Sequence, residues 1–242
     1  MIHVSQLSKT YSETTVLSIE SLELQAGEII GLVGNNGAGK TTFFSLLLDL
    51  IKPSTGYIEN QGVRVNESEA WKSTTAAFID ENFLIGYLTA EEYFEFIAGL
   101  RGVEKAELSD FIKVFKAFFN DEILGNKKYI RDYSKGNQKK IGIAAAFIGT
   151  PALVILDEPF ANLDPRAQMQ LQKLIKSFNS EHGVSLLVSS HDLLHVSEVS
   201  QRILILNKGE LIKDVRTSEI TLEDLRAFFS EEVKEELPSL ES

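Results

Sequence analysis

Cysteine is absent from the 242-residue chain. That excludes disulfides, thiolate nucleophiles and Cys-ligated zinc or iron–sulfur centres, and it fits a reducing compartment. Long hydrophobic runs are also missing. The longest uncharged stretch, residues 141–156, is short for a membrane span and is interrupted by Gly149-Thr150-Pro151. The opening Met1-Ile2-His3-Val4-Ser5 has neither the basic stretch nor the apolar run of a secretory signal. Any role at a membrane is therefore expected to go through a partner. Positive charge is scarce, with 24 Lys and Arg against 35 Asp and Glu, a formal charge of −11. Such a chain repels the phosphates of an extended nucleic acid, so no nucleic-acid partner is expected. A local basic pocket for a small phosphate ligand stays open.

The deficit is uneven. Residues 215–242 hold eight acids and three bases and read as an amphipathic helix over 221–229 followed by a polar end. What the chain does have is material for a core. Hydrophobic residues make up 43%, and the length suits one large domain or two small ones.

Three regions follow one another. In the first, residues 2–7, 18–24 and 28–34 read as strands, 41–50 as a helix and 56–65 as a hairpin turning near Asn60-Gln61-Gly62. The second, residues 80–149, reads as mostly helical, with helices over 90–100, 108–119 and 135–147. Its phenylalanines at helical spacing are expected to pack rather than to stack on bases. The third opens with Leu153-Val154-Ile155-Leu156, a continuous apolar run suited to a strand buried on both faces. A helix over 166–181, a strand over 184–188 and a closing hairpin over 202–213 follow. Strands alternating with helices predict an α/β fold with a mainly parallel sheet.

Two motifs carry chemistry. Gly34-Asn35-Asn36-Gly37-Ala38-Gly39-Lys40-Thr41, followed by Thr42, fits a phosphate-binding loop between a strand and a helix. Its glycines let backbone N–H groups turn toward phosphate oxygens, and the helix adds its positive end. Lys40 suits β/γ-phosphate charge, and the Thr41 hydroxyl suits Mg2+. In the second motif, Leu153–Leu156 delivers Asp157 and Glu158 to the end of a buried strand. Asp157 suits the Mg2+ shell, and Glu158 suits polarising an attacking water.

With these motifs the chain resembles the ATP-binding subunits of ATP-binding-cassette transporters over residues 1–214. The resemblance implies a P-loop NTPase fold: a mainly parallel core sheet, an N-terminal antiparallel β-subdomain and an inserted α-helical subdomain at about 80–149, with 215–242 outside as an acidic tail. It implies an ATPase using ATP and Mg2+. Tyr11 matches the aromatic that stacks on adenine. Tyr133-Ser134-Lys135-Gly136-Asn137 stands at the family signature, whose Ser134 and Gly136 face ATP held by the opposite subunit. Ala161-Asn162-Leu163-Asp164 matches the loop that communicates across the dimer, and His191 the switch histidine at the γ-phosphate.

Two positions depart from the pattern. Counting back from Leu88-Thr89 puts Asp80 where the family has a Gln near Mg2+, and a slip of one residue puts Glu81 there. The signature reads Tyr-Ser-Lys-Gly-Asn instead of Leu-Ser-Gly-Gly-Gln, a form that resembles the subgroup serving export-type permeases. The resemblance implies two copies, expected as a homodimer, paired head to tail around ATP. They would sit on the cytoplasmic face of a membrane through a separate permease, docked by the helical region with Phe83 and Tyr87. Chromosome-organising relatives carry long coiled coils between the two ATP motifs. Here 94 residues separate Lys40 from Ser134, without a heptad run.

Overall fold

A computed structural model describes residues 1–225. Its ten strands form one sheet, in the order β5-β4-β1-β2-β10-β9-β3-β8-β7-β6. The antiparallel end holds β1 (Ile2–Tyr11), β2 (Thr14–Leu24), β4 (Thr55–Asn60) and β5 (Val63–Arg64). The parallel end joins β9 (Arg202–Asn207), β3 (Ile29–Val33), β8 (Ser185–Ser190), β7 (Leu153–Leu156) and β6 (Thr75–Phe78). Between them, β10 (Glu210–Arg216) pairs antiparallel with β9 and touches β2 through a single parallel pair, Glu210 with Ser18.

The parallel strands are apolar on both faces because both faces are covered. In β7, Leu153 and Ile155 enter one core cluster, and Val154 and Leu156 enter the other. The first cluster packs the sheet against α1 (Lys40–Leu47), through Phe43 and Phe44, and against β1 and β2. The other face carries α5 (Lys135–Phe147) and α6 (Pro165–His182). A short α7 (Leu193–Val199) packs beside β3.

Residues 79–152 leave the sheet between β6 and β7, which are neighbours in it. They form α2 (Ala90–Leu100), α3 (Lys105–Val114), α4 (Lys116–Phe119) and α5. The insertion is pinned by phenylalanines. Phe178 of α6 stacks on Phe147 at 4.4 Å and on Phe115 at 5.8 Å, and Phe111 lies 6.0 Å away. Phe115, Phe118 and Phe119 are buried, so these rings pack rather than offer a stacking platform.

Some boundaries differ from expectation. The helix expected over 41–50 ends at Leu47, and Asp49 turns into the left-handed region at φ 52°. The helix expected over 108–119 breaks at Phe115, whose ψ of 0° ends α3 before α4 begins. The hairpin turn falls at Gln61-Gly62, both at positive φ as a tight hairpin requires. β6 is a strand that its Thr-Ala-Ala-Phe pattern does not announce; it is buried and paired to β7. The tail helix expected over 221–229 begins where Thr221 Oγ1 accepts the Asp224 N–H, and Leu225 is buried against Ile203 and Ile205. Residues 226–242, with the rest of that helix and the polar end, lie outside the described residues.

Candidate functional site

β3, β7 and β8 end side by side, and the chemistry sits at their carboxyl ends, as expected for a parallel sheet. After β3 the chain folds back tightly. A side chain at Gly34 would place Cβ 2.4 Å from the Leu206 carbonyl, and Gly39 has φ +105°, so both positions need glycine. Lys40 then starts α1 with its side chain turned back over the loop. Its Nζ donates to Gly34 O at 2.6 Å and to Asn35 O at 3.3 Å. Those two carbonyls and the carboxylate of Glu158, 3.4 Å away, are the partners of an ammonium in a residue only 6% exposed.

Thr41 Oγ1 donates to Asp157 Oδ2 at 2.6 Å, and Ser189 Oγ of β8 donates to Asp157 Oδ1. Burial pushes the Asp157 carboxyl above the ordinary carboxylate range, and the two hydroxyl donors and Lys40 work against that. Glu158 comes next, at φ +46°. Its Oε2 lies 2.8 Å from His191 Nδ1 and accepts the His191 backbone N–H at 3.3 Å. Its Oε1 is buried without a hydrogen bond and faces Lys40. A carboxylate with one oxygen oriented by a histidine and the other unbonded beside a phosphate loop has the form of a water-orienting base.

A cavity of about 290 Å³ opens over the loop. Tyr11, half exposed at the end of β1, lines it together with Asn35, Asn36, Gly37, Gly39, Lys40, Thr41, Thr42 and Glu158. Ala38 is buried and holds the loop to the β9–β10 turn, its carbonyl accepting the Gly209 N–H. Ser134 and Gly136 do not line this cavity. Ser134 caps α5 by accepting the Asn137 N–H, and Gly136 sits so close to Asn162 that a Cβ would meet its carbonyl at 2.8 Å.

Asp80, expected beside the metal, does not line this cavity. Its carboxylate accepts the Asn82 N–H at 2.7 Å, which starts the turn Glu81–Phe83, and it lines a different groove with Trp71 and Phe83. A carboxylate satisfied by the backbone two residues on is held on its own turn. Its neighbour points inward instead: Glu81 Oε1 lies 3.5 Å from Lys139 Nζ. Glu81 enters only through the one-residue slip in the sequence count. Lys139 and Ser189 escape sequence reading altogether. On α5, Lys139 and Lys140 are buried while Lys135 is exposed.

The family profile for ABC transporters matches residues 17–161. The chain belongs to the ABC transporter family. The bacitracin transport ATP-binding protein BcrA of Enterococcus faecalis is 32% identical over 222 residues, covering 91% of this chain and 70% of that protein. The lantibiotic transport ATP-binding protein SrtF of Streptococcus pyogenes is 31% identical, covering 88% of this chain and 89% of its own. A solved ATP-binding subunit of an ABC transporter superposes with TM-score 0.81 at 28% identity, covering 95% of this chain and 93% of that one. A dimeric ATP-binding cassette in a post-hydrolysis state with ADP and Pi shares the fold at TM-score 0.80 and 22% identity, covering 90% and 99%.

This ABC protein is an ATP-binding subunit and an ATPase that uses ATP with Mg2+. Its donor set fits that metal. Among the described residues no group of three or more His, Cys, Asp or Glu gathers to hold an ion. Mg2+ takes one or two protein oxygens and completes its shell with water and phosphates, and Thr41 with Asp157 offers such a pair. Bound there, Mg2+ supplies charge neutralisation on the phosphates. Among the described residues, no helix is long and apolar enough to cross a membrane.

Proposed function

We propose that this chain powers a separate transmembrane permease, with two copies pairing head to tail around two ATP molecules. The observation that carries the reading is the pair Glu158 Oε2 and His191 Nδ1 at 2.8 Å, in which Glu158 lines the phosphate-loop cavity. In this reading Lys40 and the N–H groups of 34–42 hold the phosphates, Tyr11 carries the adenine, and Thr41 and Asp157 face the metal. Glu158 takes the proton of the attacking water, and His191 holds Glu158 and meets the γ-phosphate. Ser134 and Gly136 serve the ATP of the opposite copy, which agrees with their absence from this chain's own cavity. Residues 1–214 carry the ATP chemistry as one cassette with 80–149 inserted, and the acidic stretch from 215 takes no part in it.

The permease contact is assigned to the insertion's first turn. Phe83 and Tyr87 are about two-thirds exposed there. Beside them a groove of about 440 Å³ runs between Trp71, Leu48 and α2. A partner helix seated there would place the chain on the cytoplasmic face of a membrane. The Tyr133-Ser134-Lys135-Gly136 form favours export, and the relatives' names are those of peptide-antibiotic transport proteins.

Glu158→Gln tests the reading. ATP binding is retained, turnover falls by about 10²-fold or more, and an ATP-stabilised dimer accumulates on a sizing column. Unchanged turnover would remove Glu158 as the base, and with it this mechanism.

A further inference from the structure

β6 and β7 end together, and Asp157 N–H donates to Phe78 O at 2.9 Å across them. Just past these ends the ammonium of Lys139 on α5 lies between the Glu81 carboxylate and the Glu158 backbone. Lys139 Nζ donates to the backbone carbonyl of Glu158 at 2.8 Å. It also lies 3.5 Å from Glu81 Oε1, an oxygen buried without a hydrogen bond. The Lys139 side chain is 7% exposed, and the Phe78 ring lies 5.9 Å from its charge. A buried ammonium is costly unless its charge is compensated and its protons are accepted. Here Glu81 supplies the charge and Glu158 the acceptor.

Glu158 needs such a clamp. Its backbone stands in the left-handed region, which is strained for a residue with a Cβ. Both of its peptide groups are tied. The N–H donates to Ser189 Oγ at 2.8 Å, and the carbonyl accepts Lys139. Where the backbone points decides where the carboxylate lands between Lys40 and His191.

The geometry points to Lys139 as a positioning residue for Glu158, anchored by Glu81. The inference rests on Glu158 being the base. It differs from a plain buried ion pair, which would hold α5 to the sheet and leave the rate per folded molecule unchanged.

The test is ATP turnover and nucleotide affinity of the purified chain in Lys139→Met and Lys139→Gln. Met keeps the length and the apolar stem and loses the donor; Gln keeps a donor without the charge. For Lys139→Met, kcat falls by about 10-fold while nucleotide affinity stays within about twofold, the signature of a displaced catalytic group. Lys139→Gln recovers most of that loss. In a Glu158→Gln background, Lys139→Met changes the residual turnover by less than about twofold, because residues acting as a unit are not additive. Equal deficits in Met and Gln, or a kcat loss that matches only a loss of folded protein, overturns the proposal. Should Lys139→Met fail to fold, Glu81→Gln tests the same link. There kcat falls about threefold at unchanged affinity, and an unchanged kcat overturns the proposal. Full turnover in Glu158→Gln overturns the base assignment itself. Loss there with normal turnover in Lys139→Met overturns this inference alone.

Discussion

The strand ends of the parallel sheet and the helical insertion handle charge in opposite ways. At the strand ends, Lys40, Asp157 and Glu158 each follow directly on a buried apolar run or a glycine loop, which brings them to the site. In the insertion, Lys139 and Lys140 sit inside a buried helix, and their partners come from far along the chain. Lys139 meets Glu81 and the Glu158 carbonyl, and Lys140 lies 3.5 Å from Glu122 and 3.9 Å from Asp164. The first region is built to present charge to a ligand and the second to join two parts of the protein. The two are separable in principle, because the joining forces of the insertion are mostly aromatic and the site's are polar.

The largest effect that would break this contrast is at Phe178. Its ring gathers Phe111, Phe115 and Phe147, so it ties α3, the break between α3 and α4, and α5 to α6. Phe178→Ala is expected to cost about 3–5 kcal/mol of stability, the range for truncating a buried aromatic. Urea denaturation measures it. ATP affinity of the folded protein should stay within about twofold, since no atom of Phe178 reaches the cavity. A comparable loss of affinity would show that the insertion's packing and the site are one unit.

Lys40→Ala runs the other way. It removes the ammonium that spans the Gly34 and Asn35 carbonyls and faces Glu158. Turnover should fall by about 10²-fold or more, as for loss of a positioned charge at a phosphoryl centre. Thermal unfolding without nucleotide should move little, because the cost of burying the ammonium is lost together with its contacts to two carbonyls and Glu158. A fall in melting temperature as large as that of Phe178→Ala would contradict the separation.

The same contrast explains what the sequence made legible. The phosphate loop and Asp157-Glu158 were readable because strand, turn and functional residue are contiguous, so local pattern contains the whole site. His191 was reached through the resemblance to the family and not from its surroundings, since its partner, Glu158, is 33 residues away. Lys139 was not, since nothing in its neighbourhood signals that an ammonium will be buried there. Only the pairing of β6 with β7, which brings residues 81 and 158 together, gives it partners. Asp80 shows the same limit at finer scale. Counting residues separates it from Glu81 by one place, and the turn it caps decides which carboxylate faces inward. β6 itself was hidden because two of its four residues are alanine and it is too short to show a period.

The smallest effect is the most specific. Thr89 opens α2 with a complete capping box: its hydroxyl accepts the Glu92 N–H at 3.3 Å, and Glu92 accepts the Thr89 N–H at 2.8 Å. Thr89→Ala removes one half of that pair and should cost about 1 kcal/mol. For a chain of this size that is a drop of about 2–4 °C in melting temperature. The cap lies next to the segment carrying Phe83 and Tyr87, so it fixes where α2 leaves that segment. If the insertion only docks a partner, ATP turnover of the isolated chain is unchanged in Thr89→Ala. If turnover falls beyond the loss of folded protein, the start of α2 communicates with Glu158. A polar route on that side runs from the turn Glu81–Phe83, through Glu81 to Lys139 and the Glu158 carbonyl. Pairing Thr89→Ala with Lys139→Met then decides it: the two losses add if they are independent and merge into one if the effect travels through that ammonium.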